Sequence, residues 1–278
     1  MSRLPVIVGI GGVNPAGRVS GNQAYRRVVV DKLGAAQAAS TYASLATLMA
    51  LDLDPAAAAT RAHIRAHTLV RRIESFDVAQ TPWQRAARLS AVPGQPIEFT
   101  IRKRDLPDQL PGDWDVRELD SQRLHIRIQG DADFLVKDVR KSRVSSAGQL
   151  PSGFRPDAQY ASRSHPRGLQ LAIWGASDAI RSIGIDWETI RAAVRPDQIA
   201  VYASSAMGQL DFDGTGGALQ SHLVGKRPTA KQVPLGLAEM PADFVNAYVL
   251  GNVGCTGSNV GACATYLYNL RQIGRAHV

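Results

Sequence analysis

Two short apolar runs with an amphipathic stripe between them predict an α/β fold. Residues 5–10 (Pro-Val-Ile-Val-Gly-Ile) and 199–203 (Ile-Ala-Val-Tyr-Ala) read as buried strands, because a run that does not alternate suits a sheet covered on both faces. Between them Leu169, Ala172, Ile173, Ala176, Ala179, Ile180 and Ile183 fall on one side of a helix, and Gly184 supplies its end signal. The 278 residues fit one large domain or two small ones. Hydrophobic residues make up 45% and charged residues 20%, which is enough apolar surface to offset the entropy of ordering the chain.

The remaining elements follow in chain order. After the first strand, Gly11-Gly12-Val13-Asn14-Pro15-Ala16-Gly17 reads as a loop. An alanine-rich helix is expected over roughly 35–50. Asp54-Pro55 then opens a second helix running to about Glu74, since proline is tolerated in a first turn. Residues 97–103 and 123–129 alternate, with Ile97, Phe99, Ile101 and Leu124, Ile126, Ile128 on one face, and read as half-exposed strands. The Ser-, Arg-, Gly- and Pro-rich stretch 141–168 reads as a long connection. Residues from about 20 to 165 therefore look like an α+β insertion between the first strand and the rest of the core.

Several function classes are disfavoured. No run approaches the ~20 apolar residues of a membrane span. The N-terminal apolar run is too short for a signal-peptide core, and Pro5 and Gly9 interrupt it, so a cytoplasmic location is expected. Lys and Arg number 32 against 24 Asp and Glu, a net charge of +8. No arginine cluster is interleaved with aromatics as a nucleic-acid platform requires. The charge reads as a solvated surface that can also steer acidic or phosphate-bearing partners.

The cofactor motifs fail one by one. Gly9-Ile10-Gly11-Gly12-Val13-Asn14 has Asn14 where a dinucleotide fingerprint needs its third glycine, and Pro15 follows where the helix should be running. His63 and His67 are four apart, but Ile-Arg-Ala between them offers no general base, and Arg61, Arg65, Arg71 and Arg72 would repel a cation. Gly214-Thr215-Gly216-Gly217 lacks the Lys-Ser/Thr of a phosphate loop and reads as a mobile loop. There is no Gly-x-Ser-x-Gly elbow. Neither a cofactor nor a metal is expected.

The informative segment is Gly257-Ser258-Asn259-Val260-Gly261-Ala262-Cys263-Ala264-Thr265-Tyr266-Leu267-Tyr268-Asn269-Leu270. A run of small residues leads into Cys263, and helical spacing follows it. This reads as a strand, a sharp turn and a helix that begins at the cysteine. The spare N–H groups and dipole of such a helix start favour a thiolate. Gly261, Ala262 and Ala264 leave room for an acyl group. The alternative is a buried structural cysteine among small residues. With only Cys255 as a second cysteine there is no disulfide framework, and Cys255, in a Gly-Cys-Thr-Gly loop, is given no role.

Ala262-Cys263-Ala264-Thr265 resembles the nucleophile motif of the β-ketoacyl synthases, the condensing enzymes of fatty acid and polyketide synthesis. Other stretches resemble that family in its order: Val6 to Gly17 its first strand and loop, Gln170 to Gly184 a helix, Ile199 to Gly208 a strand and glycine-bearing loop, and Met240 to Tyr248 the Met-rich helix before the cysteine. The resemblance covers residues 1–18 and about 166–272, and the long spacer is like that of a long-form bacterial subgroup. Gly261 departs from it, since many members have Thr there.

The resemblance implies a thiolase-like fold of five layers (α-β-α-β-α), of which this chain would be the N-terminal half, and a homodimer when complete. It implies that Cys263 takes an acyl group from a carrier-protein or coenzyme A thioester, after which malonyl carrier protein loses carbon dioxide and attacks the acyl-cysteine. By position Met207, Gly208 and Phe212 would line the acyl pocket, and the backbone N–H of Cys263 would help hold the oxyanion. The positive charge would then suit an acidic acyl carrier protein.

The family also needs two polar groups, His-His or His-Asn, well downstream of the cysteine, and only His277 follows Cys263. Residues 273–278 (Ile-Gly-Arg-Ala-His-Val) resemble a translated adapter, so the native stretch is expected to be 1–272, inactive and poorly stable by itself. Two alternatives stand beside this reading. One is a chain-initiating synthase that uses a short coenzyme A primer, whose gatekeeping residues would also lie downstream. The other is a non-catalytic partner subunit, which the presence of Cys263 disfavours.

Overall fold

The structure, a computed structural model, describes residues 6–251 and 254–275. It is mixed α/β and divides into two compact units: residues up to 71 together with those from 147 onward, and residues 72–146. Short strands β3 (Val70–Arg72) and β9 (Ser146–Gly148) mark where the chain passes from one unit to the other and back. No helix among the described residues is long and apolar enough to cross a membrane.

The larger unit starts with a hairpin, β1 (Val13–Asn14) and β2 (Gly17–Arg18), followed by α1 (Gln23–Val28), α2 (Ala35–Leu48) and α3 (Ala58–Ala66). Tyr42, Leu45, Ala46 and Met49 sit on one face of α2 and its C-terminal end, and they bury against Val30 and Ile64. The expected 35–50 helix is thus present. The helix expected to reach Glu74 stops at Ala66. Thr68 is buried and turns its hydroxyl back to Ile64 O (2.7 Å), and Leu69 takes a left-handed φ of 65° that ends the repeat. At the other end Asp54 does act as an opener, its Oδ1 accepting the Ala56 N–H at 2.8 Å, but it forms a turn ahead of α3.

After the unit boundary come α4 (Arg167–Ser182), α5 (Trp187–Ala193), β10 (Ala200–Tyr202), α6 (Thr215–Gln220), α7 (Gln232–Gly236) and α8 (Met240–Val245). A π-helical turn, Asn246–Leu250, extends α8 until Gly251 turns left-handed at φ 80°. The last elements are β11 (Cys255–Gly257) and α9 (Thr265–Arg275). The expected stripe on α4 packs as read: Ala172, Ala176 and Ile180 cover a core of Val201, Ala242, Val245 and Leu250. β10 runs parallel to β11 in the register Ala200–Cys255, Val201–Thr256, Tyr202–Gly257. Cys255 therefore lies in a strand rather than a loop. The C-terminal tail falls partly within α9, and residues 276–278 lie outside the described residues.

Two sequence expectations fail here. Residues 6–10 are extended but form no strand, and Val6, Ile7, Val8 and Ile10 are exposed; Pro5 lies outside the described residues. An apolar run becomes a strand only when a ladder edge meets its backbone, and this backbone meets α4 instead. The Ile10 N–H donates to Ser182 Oγ (2.9 Å) and the Gly12 N–H to Asp178 Oδ2 (3.1 Å). A Cβ on Gly9 would stand 2.6 Å from Ala179 O, so glycine lets the segment lie flat on the helix. The expected mobile loop at 214–217 is instead the packed start of α6. Gly216 and Gly217 are buried, and a Cβ on them would strike Leu210 O and Phe212 O. Here glycine serves close approach rather than mobility.

The unit of residues 72–146 is built from strands joined by irregular connections and one 3-10 turn, Lys103–Asp105. β5 (Ile97–Arg102), β7 (Arg123–Ile128) and β6 (Trp114–Glu118) form an antiparallel sheet with β7 in the middle. The pairs Phe99–Ile126 and Ile101–Leu124 confirm the alternation read for the runs 97–103 and 123–129. Leu124, Ile126 and Ile128 are buried under Phe99, Trp114 and Phe134, with Phe99 edge-on to both other rings. A separate ribbon pairs β4 (Thr81–Leu89) with β8 (Ala132–Arg140) along nine residues of each. It is tied by Arg88–Asp133 and Arg85–Asp138 ion pairs, and Arg140 lies over the Trp83 ring.

Asp178 is a hydrogen-bond hub of the larger unit. Only 3% exposed in the middle of α4, it accepts from Arg18 Nε, Ser20 Oγ (2.8 Å) and the Gly12 N–H. Removing the carboxylate strands these donors. Asp178→Ala is expected to lower the unfolding free energy by about 2–3 kcal/mol, as read by urea denaturation, while Asp52→Ala at an exposed position of the same unit moves it far less.

Candidate functional site

The chain reverses between β11 and α9, and Cys263 sits at that reversal. Residues 262–264 form a single 3-10 turn that runs directly into α9. Ala262 holds a left-handed φ of 47°, rare for a residue with a side chain. This bend brings Cys263 to the surface, where its side chain is exposed. The first bonds of the helical ladder run from the Ala264 N–H to Gly261 O (2.9 Å) and from the Thr265 N–H to Ala262 O. The Cys263 N–H precedes them, among the donors that a helix start leaves over.

Buried polar groups hold the bend. Thr265 Oγ1 donates to Ala262 O (2.7 Å) and accepts from the Gly261 N–H (3.1 Å). One turn on, Asn269 is 5% exposed. Its Oδ1 accepts from the Asn259 N–H at 3.0 Å, and its Nδ2 reaches Ser204 Oγ (2.8 Å), Asn259 O (3.1 Å) and Thr265 O (2.9 Å). Ser204 Oγ also donates to Asn259 O at 2.6 Å. A Cβ on Gly261 would collide with the Tyr268 ring, which accounts for glycine at the position where the resemblance has threonine.

No protein-family model matches the chain. It is 46% identical over 290 residues to the β-ketoacyl-[acyl-carrier-protein] synthase FabY of Pseudomonas aeruginosa, an alignment that takes in 98% of this chain and 46% of that protein. The crystal structure of the ketosynthase FabY from P. aeruginosa matches with a TM-score of 0.92 at 45% identity, over 100% of this chain and 46% of that one. This chain is similar to a β-ketoacyl synthase over nearly all of its own length. It spans about half the length of the synthase it matches.

The other residues singled out from the sequence are placed as follows. Met207 is 75% exposed, and Gly208 is left-handed at φ 70° against the Gly236 carbonyl. Phe212 is half-exposed with Lys226 Nζ 4.8 Å from its ring centroid. Ser205 Oγ bonds to Gly208 O (3.0 Å), so the 204–208 loop is anchored next to Ser204. A cavity of about 790 Å³ in the same unit is walled by Phe154, Trp174, Tyr160 and Tyr248, and neither Cys263 nor Met207, Gly208 or Phe212 lines it. His63 and His67 stack ring on ring at 4.0 Å. Among the described residues no group of three His, Cys, Asp or Glu side chains could hold a metal ion.

Sequence reading passed over His165. Its Nδ1 lies 3.0 Å from Tyr160 OH and its Nε2 3.5 Å from Tyr248 OH, with Phe244 edge-on. A lone histidine in a Ser-Arg-Pro-rich connection carries no signal, because Phe244 and Tyr248 reach it from α8 and the turn that extends it, about 80 residues away. Burial, with a lesser contribution from Lys231, lowers the His165 pKa below its ordinary 6.5, and burial raises that of Tyr160 to about 12.

Two predictions follow from this geometry. Gly261→Ala pushes the Tyr268 ring off the bend at a cost of about 1 kcal/mol, and Tyr268→Ala in the same chain removes that cost in thermal unfolding. A neutral His165 is favoured by the fold, so its contribution is complete above about pH 6.5 and declines as pH falls through the lowered pKa. His165→Gln should flatten that acid limb in unfolding curves measured from pH 7.5 to 5.

Proposed function

We propose that this chain carries the nucleophile of a β-ketoacyl-acyl carrier protein synthase of fatty acid synthesis. Cys263 accepts an acyl group from a carrier-protein or coenzyme A thioester, and a malonyl thioester then condenses with the acyl-cysteine. The observation that carries the reading is an exposed cysteine on a strained strand-to-helix bend, in a chain 46% identical to a β-ketoacyl synthase.

In the first half-reaction the Cys263 thiolate adds to the thioester carbonyl. The tetrahedral oxyanion collapses, the carrier thiolate leaves and takes a proton from solvent, and the acyl group stays on Sγ. The Cys263 N–H, ahead of the helical ladder, is the donor this chain offers to the oxyanion. In the second half-reaction malonyl thioester loses carbon dioxide, its carbanion attacks the acyl-cysteine carbonyl, and Cys263 leaves as thiolate with the new carbon–carbon bond formed. The resemblance assigns the second half-reaction two further polar groups well downstream of Cys263, and only His277 follows Cys263 in this sequence.

Met207, Gly208 and Phe212 are assigned to the acyl chain. What supports this is the anchoring of their loop to the nucleophile bend through Ser204. The +8 charge supports attraction of an acidic carrier protein. A homodimer comes from the family resemblance alone, and the cytoplasmic location is carried over from the sequence reading.

Incubation with an acyl thioester should add one acyl mass to the protein at Cys263. Cys263→Ala should lower the labelling rate by more than about 10³-fold, while Cys255→Ala leaves it intact. On addition of malonyl thioester the 278-residue chain alone should release no β-ketoacyl product. Labelling that persists in Cys263→Ala rejects the assignment.

A further inference from the structure

Asn269 has no part in the chemistry just described, yet it is the buried centre of the polar network beneath Cys263. We propose that Asn269 is a positioning residue that clamps the nucleophile bend to the acyl-facing loop, so that Cys263 and the bound acyl group are held in one frame. This rests on the reading that Cys263 is acylated.

Three features support the clamp. The first is stereochemical. Thr265 and Asn269 are four residues apart, so both project from one face of α9 toward the incoming loop, with Cys263 at its tip. Thr265 fixes the two residues just before the cysteine, and Asn269 fixes the backbone two residues earlier, at Asn259, through both its N–H and its carbonyl. The bend from Asn259 to Ala262 is therefore held by side chains of α9.

The second is chemical. A partner for both the N–H and the C=O of one residue must donate and accept side by side, which is what a carboxamide does. A carboxylate of the same shape would set a negative charge against Ser204 Oγ and two carbonyl oxygens. An aliphatic side chain would take away the acceptor of the half-buried Asn259 N–H.

The third is connectivity. The bond from Asn269 Nδ2 to Ser204 Oγ leaves the bend and reaches the end of β10. Ser204 opens the loop bearing Met207 and Gly208. That loop is itself fixed, since the Ser205 N–H donates to Ala238 O (2.8 Å) and the Gln209 N–H to Gly236 O (2.9 Å). Together with the direct Ser204 Oγ–Asn259 O bond, the Asn269 amide thus joins the segment holding the attacking sulfur to the segment assigned to the acyl chain.

The test compares Asn269→Ala, Ser204→Ala and the double variant with the wild-type chain. Three quantities are read: single-turnover acylation of Cys263 as a function of acyl-thioester concentration, alkylation of Cys263 by iodoacetamide, and the unfolding midpoint. Iodoacetamide needs a reachable sulfur but no oriented acyl group. Asn269→Ala is expected to lower the saturating acylation rate about 30- to 100-fold, because misplacement by an ångström costs that order. The half-saturating concentration should stay within about twofold and alkylation within about threefold of wild type.

Ser204→Ala removes only a hydroxyl and keeps the fold testable. It should lower acylation about tenfold, with the double variant no worse than Asn269→Ala, as coupled partners behave. Acylation that is unchanged in Asn269→Ala, that falls in step with alkylation, or that shows multiplying losses in the double variant overturns the clamp. Wild-type protein that iodoacetamide labels but no acyl thioester does would instead refute the acyl-enzyme reading, and the clamp with it.

Discussion

One buried carboxamide sets the geometry at the centre of this structure. A chain that turns from strand to helix within a few residues leaves backbone donors and acceptors that no ladder can satisfy. Between Asn259 and Ala262 that need is met by Asn269 and Thr265, projecting from the helix that the turn creates. The bend and α9 therefore specify each other. The left-handed backbone at Ala262 persists because the groups on either side of it are pinned. Exposure of Cys263 is the result of that constraint.

The same logic recurs at Asp178, with a charge in place of an amide. A carboxylate in mid-helix gains nothing from the helix itself. Here it collects a guanidinium, a hydroxyl and a backbone N–H from the first twenty residues. It fastens the N-terminal segment to α4, which in turn packs on α8 and the core around Val201. Both hubs use a helix as the rigid member and a glycine-rich or irregular segment as the member being shaped. In both cases glycine permits the approach, with Gly9 and Gly11 against α4 and Gly261 against the Tyr268 ring.

How much could be read from the residues depended on whether a local period was present. α4 and its glycine stop, the pair at 97–102 and 123–128, and the turn into a helix at Cys263 each leave a periodic or chemical trace. The β4–β8 ribbon leaves none, since Thr-Pro-Trp-Gln-Arg-Ala-Ala-Arg-Leu does not alternate and is held by cross-strand ion pairs and by Arg140 on Trp83. The run at 6–10 had the composition of a strand, but composition cannot state whether an edge is there to receive it. Gly214–Gly217 could signal freedom or crowding, and only the carbonyls packed against it decide which. Asn269 and His165 lay beyond reach for a related reason, because a single polar residue becomes informative only through neighbours distant in sequence. The likeness to a β-ketoacyl synthase was legible through Cys263 and its flanking small residues, while the side chains that hydrogen-bond the bend beside it were not.

The handedness of the backbone at Ala262 also bears on how this segment can change over generations. Single-base changes from an alanine codon reach glycine and aspartate, which tolerate the left-handed region. They also reach valine, threonine and proline, which do not. Drift next to Cys263 is thereby funnelled toward a few small or short polar substituents, a filter imposed by a torsion angle before any selection for function begins.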